Sequence, residues 1–286
     1  MAEQKNKILI IGSLGMLGCQ LLQIFTKDNN YKVIGWDKEE IDITNFIKTQ
    51  EKILSIKPDV IINCAAYNNV DGCEGNEELA NLINGYAVGN LAKIVKELGA
   101  LMVHYSTGYV FSGGGKSGYT EEDVPVPISK YDKSKYLGEV ELQKNTDKFY
   151  LIRTNLLFGP AVLVQGAKKS FVDLILDLAK VRDSFKFVTD EISNPTYVVD
   201  LAKATKKLIE GKYPYGIYHI TNDGRASWYD WAKEIFKIAG IKKEIIPIKS
   251  AEYPRPAKRP KNSVLINTKL PKLRPWQEAL KEYLSE

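Results

Sequence analysis

Through the first 155 residues, short runs of apolar and β-branched residues alternate with longer stretches of helical period, a pattern that admits little besides a parallel sheet joined by crossover helices. The spacing predicts strands near 7–11, 32–35, 59–63, 101–106 and 149–154. Helices are expected near 15–26, 44–56, 77–98 and 129–144. The strand-like runs are apolar on both faces, as buried parallel strands require. After Phe158-Gly159-Pro160 the rhythm loosens. A helix is expected near 170–181, then a loop at Ser193-Asn194-Pro195, a helix near 198–209 and the strand-like GIYHIT from Gly216. The fold expectation is therefore α/β, a doubly wound parallel sheet with a smaller C-terminal substrate-binding lobe. Residues 1–158 are expected to make the sheet domain, with 193–222 returning to it, and 159–192 and 223–286 the lobe. The proline-rich Tyr253–Lys261 segment reads as an extended loop.

Composition excludes several classes of function. With 286 residues, 44% hydrophobic and 26% charged, the chain can bury a core. Its net charge of +5 is spread along the sequence, which argues against nucleic acid as a partner. No apolar run approaches the roughly 18 residues of a membrane span, so no membrane partner is expected and the cytoplasm is the expected location. Cys19, Cys64 and Cys73 form no paired motif, and with only His104 and His219 besides, no metal site is expected. Both histidines, and Trp228 and Trp231 with Phe236, read as core residues.

Directly after the first strand comes Gly12-Ser13-Leu14-Gly15-Met16-Leu17-Gly18, a G-x-x-G-x-x-G that opens a helix. Such glycines permit a tight turn, close approach of backbone to a pyrophosphate at the positive helix end, and close helix–strand packing. About twenty residues later the second strand ends at Asp37, placed to accept hydrogen bonds from the adenosine ribose hydroxyls. Lys38 follows, either as a partner for a 2′-phosphate or as a solvated lysine. The pair leaves both NADH and NADPH open as cofactor.

Tyr131 and Lys135 stand four residues apart, on one face of the helix predicted from Ser129. A phenol is a poor acid near neutrality unless a nearby positive charge lowers its pKa. Ser106 and Thr107 fall at the carboxyl end of the fourth strand, where open α/β sheets bind ligands, and either hydroxyl could hold a carbonyl oxygen beside Tyr131. The basic loop Arg255, Lys258, Arg259 and Lys261 is either a solvated loop or a contact for a diphosphate.

These residues resemble the extended short-chain dehydrogenase/reductase superfamily, and within it the dTDP-4-dehydrorhamnose reductase family. The likeness spans nearly the whole chain: KILIIGSLGMLG, EIDIT (Glu40–Thr44), PDVIINCAAY (Pro58–Tyr67), STGYVF, Tyr131/Lys135, RTNLLFG (Arg153–Gly159), SNPTYVVDLA (Ser193–Ala202) and RPKNSVL (Arg259–Leu265). It implies a Rossmann-like fold and NAD(P)H-dependent reduction of a nucleotide-activated 4-ketosugar. Thr107, Tyr131 and Lys135 would be catalytic. Gly12, Gly15, Met16, Leu17, Gly18, Asp37 and Lys38 would bind cofactor, with Asp42 and Ile43 flanking the adenine and Ala65, Ala66 and Tyr67 lining the cleft. Ser106, Thr107, Leu156, Asn194 and Arg259 would face the substrate. The chain departs from the family's S-T-D-Y-V-F and R-T-S-W in having Gly108 for the aspartate and Asn155-Leu156 for the Ser-Trp pair. Leu156 thereby removes an aromatic wall beside the sugar. A nucleotide-sugar epimerase or dehydratase of the same superfamily, and a non-catalytic dinucleotide-binding subunit resembling the methionine adenosyltransferase regulatory subunit, stand as alternatives. A homodimer is left open.

Overall fold

A computed structural model describes residues 5–115, 117–160, 169–211 and 213–285. The part of the expected lobe at 161–168 lies outside the described residues. The strands, in chain order, are β1 (Asn6–Ile11), β2 (Tyr31–Trp36), β3 (Val60–Asn63), β4 (Leu101–Thr107), β5 (Phe149–Thr154), β6 (Leu157–Phe158), β7 (Ser184–Val188), β8 (Ile192–Ser193), β9 (Thr196–Tyr197), β10 (Gly216–His219), β11 (Ala226–Ser227) and β12 (Glu244–Ile248). The helices are α1 (Met16–Thr26), α2 (Phe46–Ile56), α3 (Gly72–Gly75), α4 (Glu77–Asn81), α5 (Ala87–Leu98), α6 (Lys130–Asn145), α7 (Phe171–Ala179), α8 (Val198–Glu210), α9 (Trp228–Ile238) and α10 (Trp276–Ser285). A π-helical turn, Leu82–Tyr86, joins α4 to α5 inside the stretch expected as one helix.

Six strands form one sheet in the order β10-β5-β4-β3-β1-β2, all pairs parallel. The order reverses direction between β1 and β3, the switch point at which doubly wound sheets bind ligands beyond the strand ends. Ile8 to Ile11 are at most 1% exposed because both faces of β1 are covered. On one face, Leu9, Ile11, Ile61 and Leu151 pack with Leu91, Val95 and Leu142. On the other, Ile8, Ile10, Ile62 and Ile152 pack with Leu21, Phe25, Leu201 and Leu208. A third cluster gathers Phe158, Tyr197, Trp231, Phe236 and Trp276, and with it the parallel pair β7–β12. His104 and His219 are both fully buried.

Local signals set the helix starts. Ser129 caps α6 through a reciprocal capping box with Asp132, and Ser227 does the same for α9 with Asp230. The 11-residue helix α1 differs: Gly15 provides no side-chain cap, and its first turn carries no acidic residue.

Candidate active site

The turn from β1 into α1 is built for close backbone approach. Gly12 sits at φ +77°, and a Cβ there would lie 2.7 Å from the Ala65 nitrogen across the switch point. A Cβ on Gly18 would lie 2.1 Å from the Gly12 carbonyl oxygen. Gly12 and Gly18 therefore leave no room for a side chain, and the uncapped N–H groups at the start of α1 are of the kind that can hold a pyrophosphate. Met16 and Leu17 begin the helix, and both pack into the core beside it. The residues present fit a dinucleotide.

Asp37 lies half-buried beside this turn, its Oδ2 accepting from the Leu14 N–H at 3.0 Å and its Oδ1 from the Lys38 N–H at 2.9 Å. Lys38 is exposed. Asp42 accepts from the Thr44 hydroxyl (2.6 Å), a bond that holds its carboxyl below the usual range, and Ile43 packs into the core. Ala65, Ala66 and Tyr67 follow β3 as a half-buried segment.

Thr107, at the end of β4, and Tyr131, on the first turn of α6, bring their hydroxyl groups side by side, close enough to interact. Thr107 Oγ1 also accepts from the Tyr109 N–H at 3.1 Å. Tyr131 stands edge-on to Tyr109, with ring centroids 6.4 Å apart. One turn further along α6, Lys135 is 3% exposed and donates from Nζ to the Tyr105 carbonyl at 2.7 Å. Burial lowers the Lys135 pKa to about 8 and pushes that of Tyr131 well up. The ammonium group was expected to lower the phenol's pKa, but burial dominates. Tyr131 therefore holds its proton at neutral pH, the form required of a proton donor.

The other expected substrate residues are placed differently. The Ser106 hydroxyl turns away from Thr107 and donates to Glu139 Oε1 at 2.5 Å. Asn194 has both ends of its amide occupied by backbone: Nδ2 donates to the Gly224 carbonyl (2.8 Å) and Oδ1 accepts from the Leu265 N–H (2.7 Å). Arg259 forms a two-pronged pair with Asp71, Nη2 to Oδ2 being 2.8 Å, and its charge acts on Tyr109. This pair holds the Asp71 carboxyl down at about 2. Leu156 stands at φ +38°, an unusual backbone for a bulky side chain, and packs against the third core cluster.

Several residues that shape the site carry weak signals in the sequence. Asn84, fully buried in the π-helical turn, clamps Tyr67 by accepting its N–H (2.8 Å) and donating to its carbonyl (3.1 Å). The same amide donates to the Ser134 hydroxyl at 2.9 Å, linking that turn to α6. A π turn within a helix often marks a functional site, but Leu-Ile-Asn-Gly-Tyr has no period that betrays it. Asn155 accepts from the Gly108 N–H (3.1 Å) and donates to the Ser263 carbonyl (2.7 Å). Among the described residues, no cluster of His, Cys, Asp and Glu could hold a metal ion, and no helix is long and apolar enough to cross a membrane.

The family model described as RmlD substrate binding domain matches residues 6–286. The spore coat polysaccharide biosynthesis protein SpsK of Bacillus subtilis is 36% identical over 285 residues, with 98% of each chain covered. The crystal structure of a dTDP-4-dehydrorhamnose reductase from Clostridium acetobutylicum is 41% identical, with a TM-score of 0.92 and 98% of each chain covered. That of a dTDP-4-dehydrorhamnose reductase from Bacillus anthracis, in complex with NADP, is 35% identical, with a TM-score of 0.93 and 99% of each chain covered.

Proposed function

Since the chain belongs to the RmlD substrate binding domain family, we propose that it reduces the 4-keto group of dTDP-4-dehydrorhamnose to give dTDP-rhamnose, with NADPH or NADH as the donor. The observation that carries this reading is the meeting of Thr107, Tyr131 and Lys135 at the carboxyl end of the sheet, whose switch point holds the glycine cradle. Gly12, Gly15 and Gly18 with the N-terminus of α1 would hold the pyrophosphate, Asp37 the adenosine ribose, and Lys135 the nicotinamide ribose. When bound, the dinucleotide supplies a hydride to the ketone carbon.

The chain's own residues manage the oxygen. Thr107 offers its hydroxyl to the carbonyl and holds it beside Tyr131. The phenol then gives its proton to the oxygen as negative charge develops there. The phenolate left behind is stabilised by the Lys135 ammonium, one helical turn away. Arg259 suits the substrate's diphosphate, for which it would exchange the carboxylate of Asp71.

Tyr131→Phe removes one hydroxyl and keeps the ring. General-acid contributions are roughly 10² to 10⁴ in rate, so kcat for NADPH oxidation with dTDP-4-dehydrorhamnose should fall by about that factor while NADPH affinity holds. A variant with near-parental kcat excludes Tyr131 as the acid.

A further inference from the structure

Glu139 follows Tyr131 and Lys135 on the same stripe of α6, at successive intervals of four residues. It is fully buried, an unusual place for a carboxylate. Its two oxygens are committed. Arg153, on β5, donates from Nε to Oε1 at 3.0 Å and from Nη2 to Oε2 at 2.7 Å, and Ser106, on β4, donates to Oε1. Ser106 and Arg153 are partners in the sheet register, and Arg153 pairs in turn with His219 of β10. Arg153 Nη1 meets His219 Nε2 at 3.4 Å, and the other ring nitrogen lies 3.2 Å from the Ile266 carbonyl. That arrangement assigns the proton to Nδ1. Burial keeps the ring neutral, with a pKa of about 4, and Glu121 accepts from the His219 backbone N–H.

Fold stability alone does not call for this arrangement, since a buried ion pair is commonly replaceable by apolar residues of like volume without loss. Its location is what distinguishes it. Three contacts tie α6 to the end of β4: Tyr131 to Thr107, Lys135 to the Tyr105 carbonyl, and Glu139 to Ser106. The charged group acting on Lys135 is Glu139 from its own helix; the Cys64 thiol, in the segment after β3, is kept neutral by burial, and the Tyr105 carbonyl accepts the Lys135 hydrogen bond. The Lys135 charge in turn acts on buried His104 of β4.

We propose that Glu139 is a positioning residue for the reaction: through Ser106 it sets the end of β4 that carries Thr107, and its carboxylate keeps the buried ammonium of Lys135 charged. The proposal rests on the catalytic reading of Thr107, Tyr131 and Lys135. In the parent, Lys135 gives up its proton around pH 8, so turnover should fall as pH rises through that region. Without the carboxylate the proton is lost at lower pH.

Glu139→Gln alone would leave the Arg153 charge buried and uncompensated, so the test pairs it with Arg153→Met, while Gln retains an acceptor for Ser106. The double variant should melt near the parent. The alkaline limb of its kcat profile and of its NADPH affinity, measured by fluorescence without turnover, should both move down by about one pH unit. Glu139→Asp, which draws the carboxylate back but keeps the ion pair, should shift both limbs in the same direction by less. Limbs that coincide with the parent's in either folded variant overturn the proposal, because a purely structural Glu139 would alter melting and leave the limbs in place. Tyr131→Phe, run alongside, separates the two readings. If it stays active, the catalytic assignment itself has failed. If it is inactive and the limbs do not move, only the role of Glu139 has failed.

Discussion

At the scale of single residues, Gly108 and Asn155 behave as one feature. The family pattern carries an aspartate at the first position and a serine at the second, and each departure looks isolated in the sequence. In the structure the Asn155 amide occupies the space a side chain at 108 would need: a Cβ there would lie 2.6 Å from Asn155 Nδ2 and 2.6 Å from the Ser263 carbonyl oxygen. Gly108→Ala should therefore destabilise the fold by about 1–3 kcal/mol, the usual cost of overpacking. Adding Asn155→Ser should recover only part of that, because the Ser263 backbone remains in place. Urea denaturation of the two variants checks this, and a Gly108→Ala protein as stable as the parent would refute it. The catalytic candidates were legible in the sequence because phenol, ammonium and hydroxyl have few common uses together at a sheet end. Glu139 was not, since an acidic residue one turn after Lys135 reads as an ordinary solvated helix position until Arg153 is seen to meet it.

Among the elements, the five strands of the N-terminal half were readable because buried parallel strands are continuous apolar runs. β7 and β12 were not. SFKFV and EIIPI are short, part-exposed and interrupted by lysine or proline, and they form a two-stranded pair at the edge of the third core cluster. The stretch from Glu77 to Leu98 was legible as helix, but its π turn was not, because the inserted residue leaves the apolar spacing on either side intact. That turn has a consequence that can be measured. It places Asn84 where one amide satisfies both backbone groups of Tyr67 and the Ser134 hydroxyl. Asn84→Ala takes the partner from both backbone groups of half-buried Tyr67, while the Ser134 hydroxyl keeps its bond to the Tyr131 carbonyl, at a cost of about 1–3 kcal/mol. On the reading that Tyr67 lines the cofactor cleft, NADPH affinity should fall as well. Calorimetric melting together with NADPH titration tests this, and a variant that melts lower but binds NADPH as tightly as the parent would show that the clamp serves stability only.

For the whole molecule, the sheet brings the glycine cradle at the end of β1 and the Thr107–Tyr131–Lys135 group at the end of β4 to the same edge. Gly12 and Thr107, more than ninety positions apart in sequence, thus come to one edge of the sheet through parallel topology alone. The Arg259–Asp71 pair joins the C-terminal loop to the segment after β3. The most direct test incubates the protein with NADPH and dTDP-4-dehydrorhamnose and follows NADPH oxidation together with the nucleotide-sugar product by NMR. Oxidation of one NADPH for each dTDP-rhamnose formed is the predicted result; NADPH that binds to the protein but stays unoxidised, with the ketosugar recovered unchanged, would contradict it.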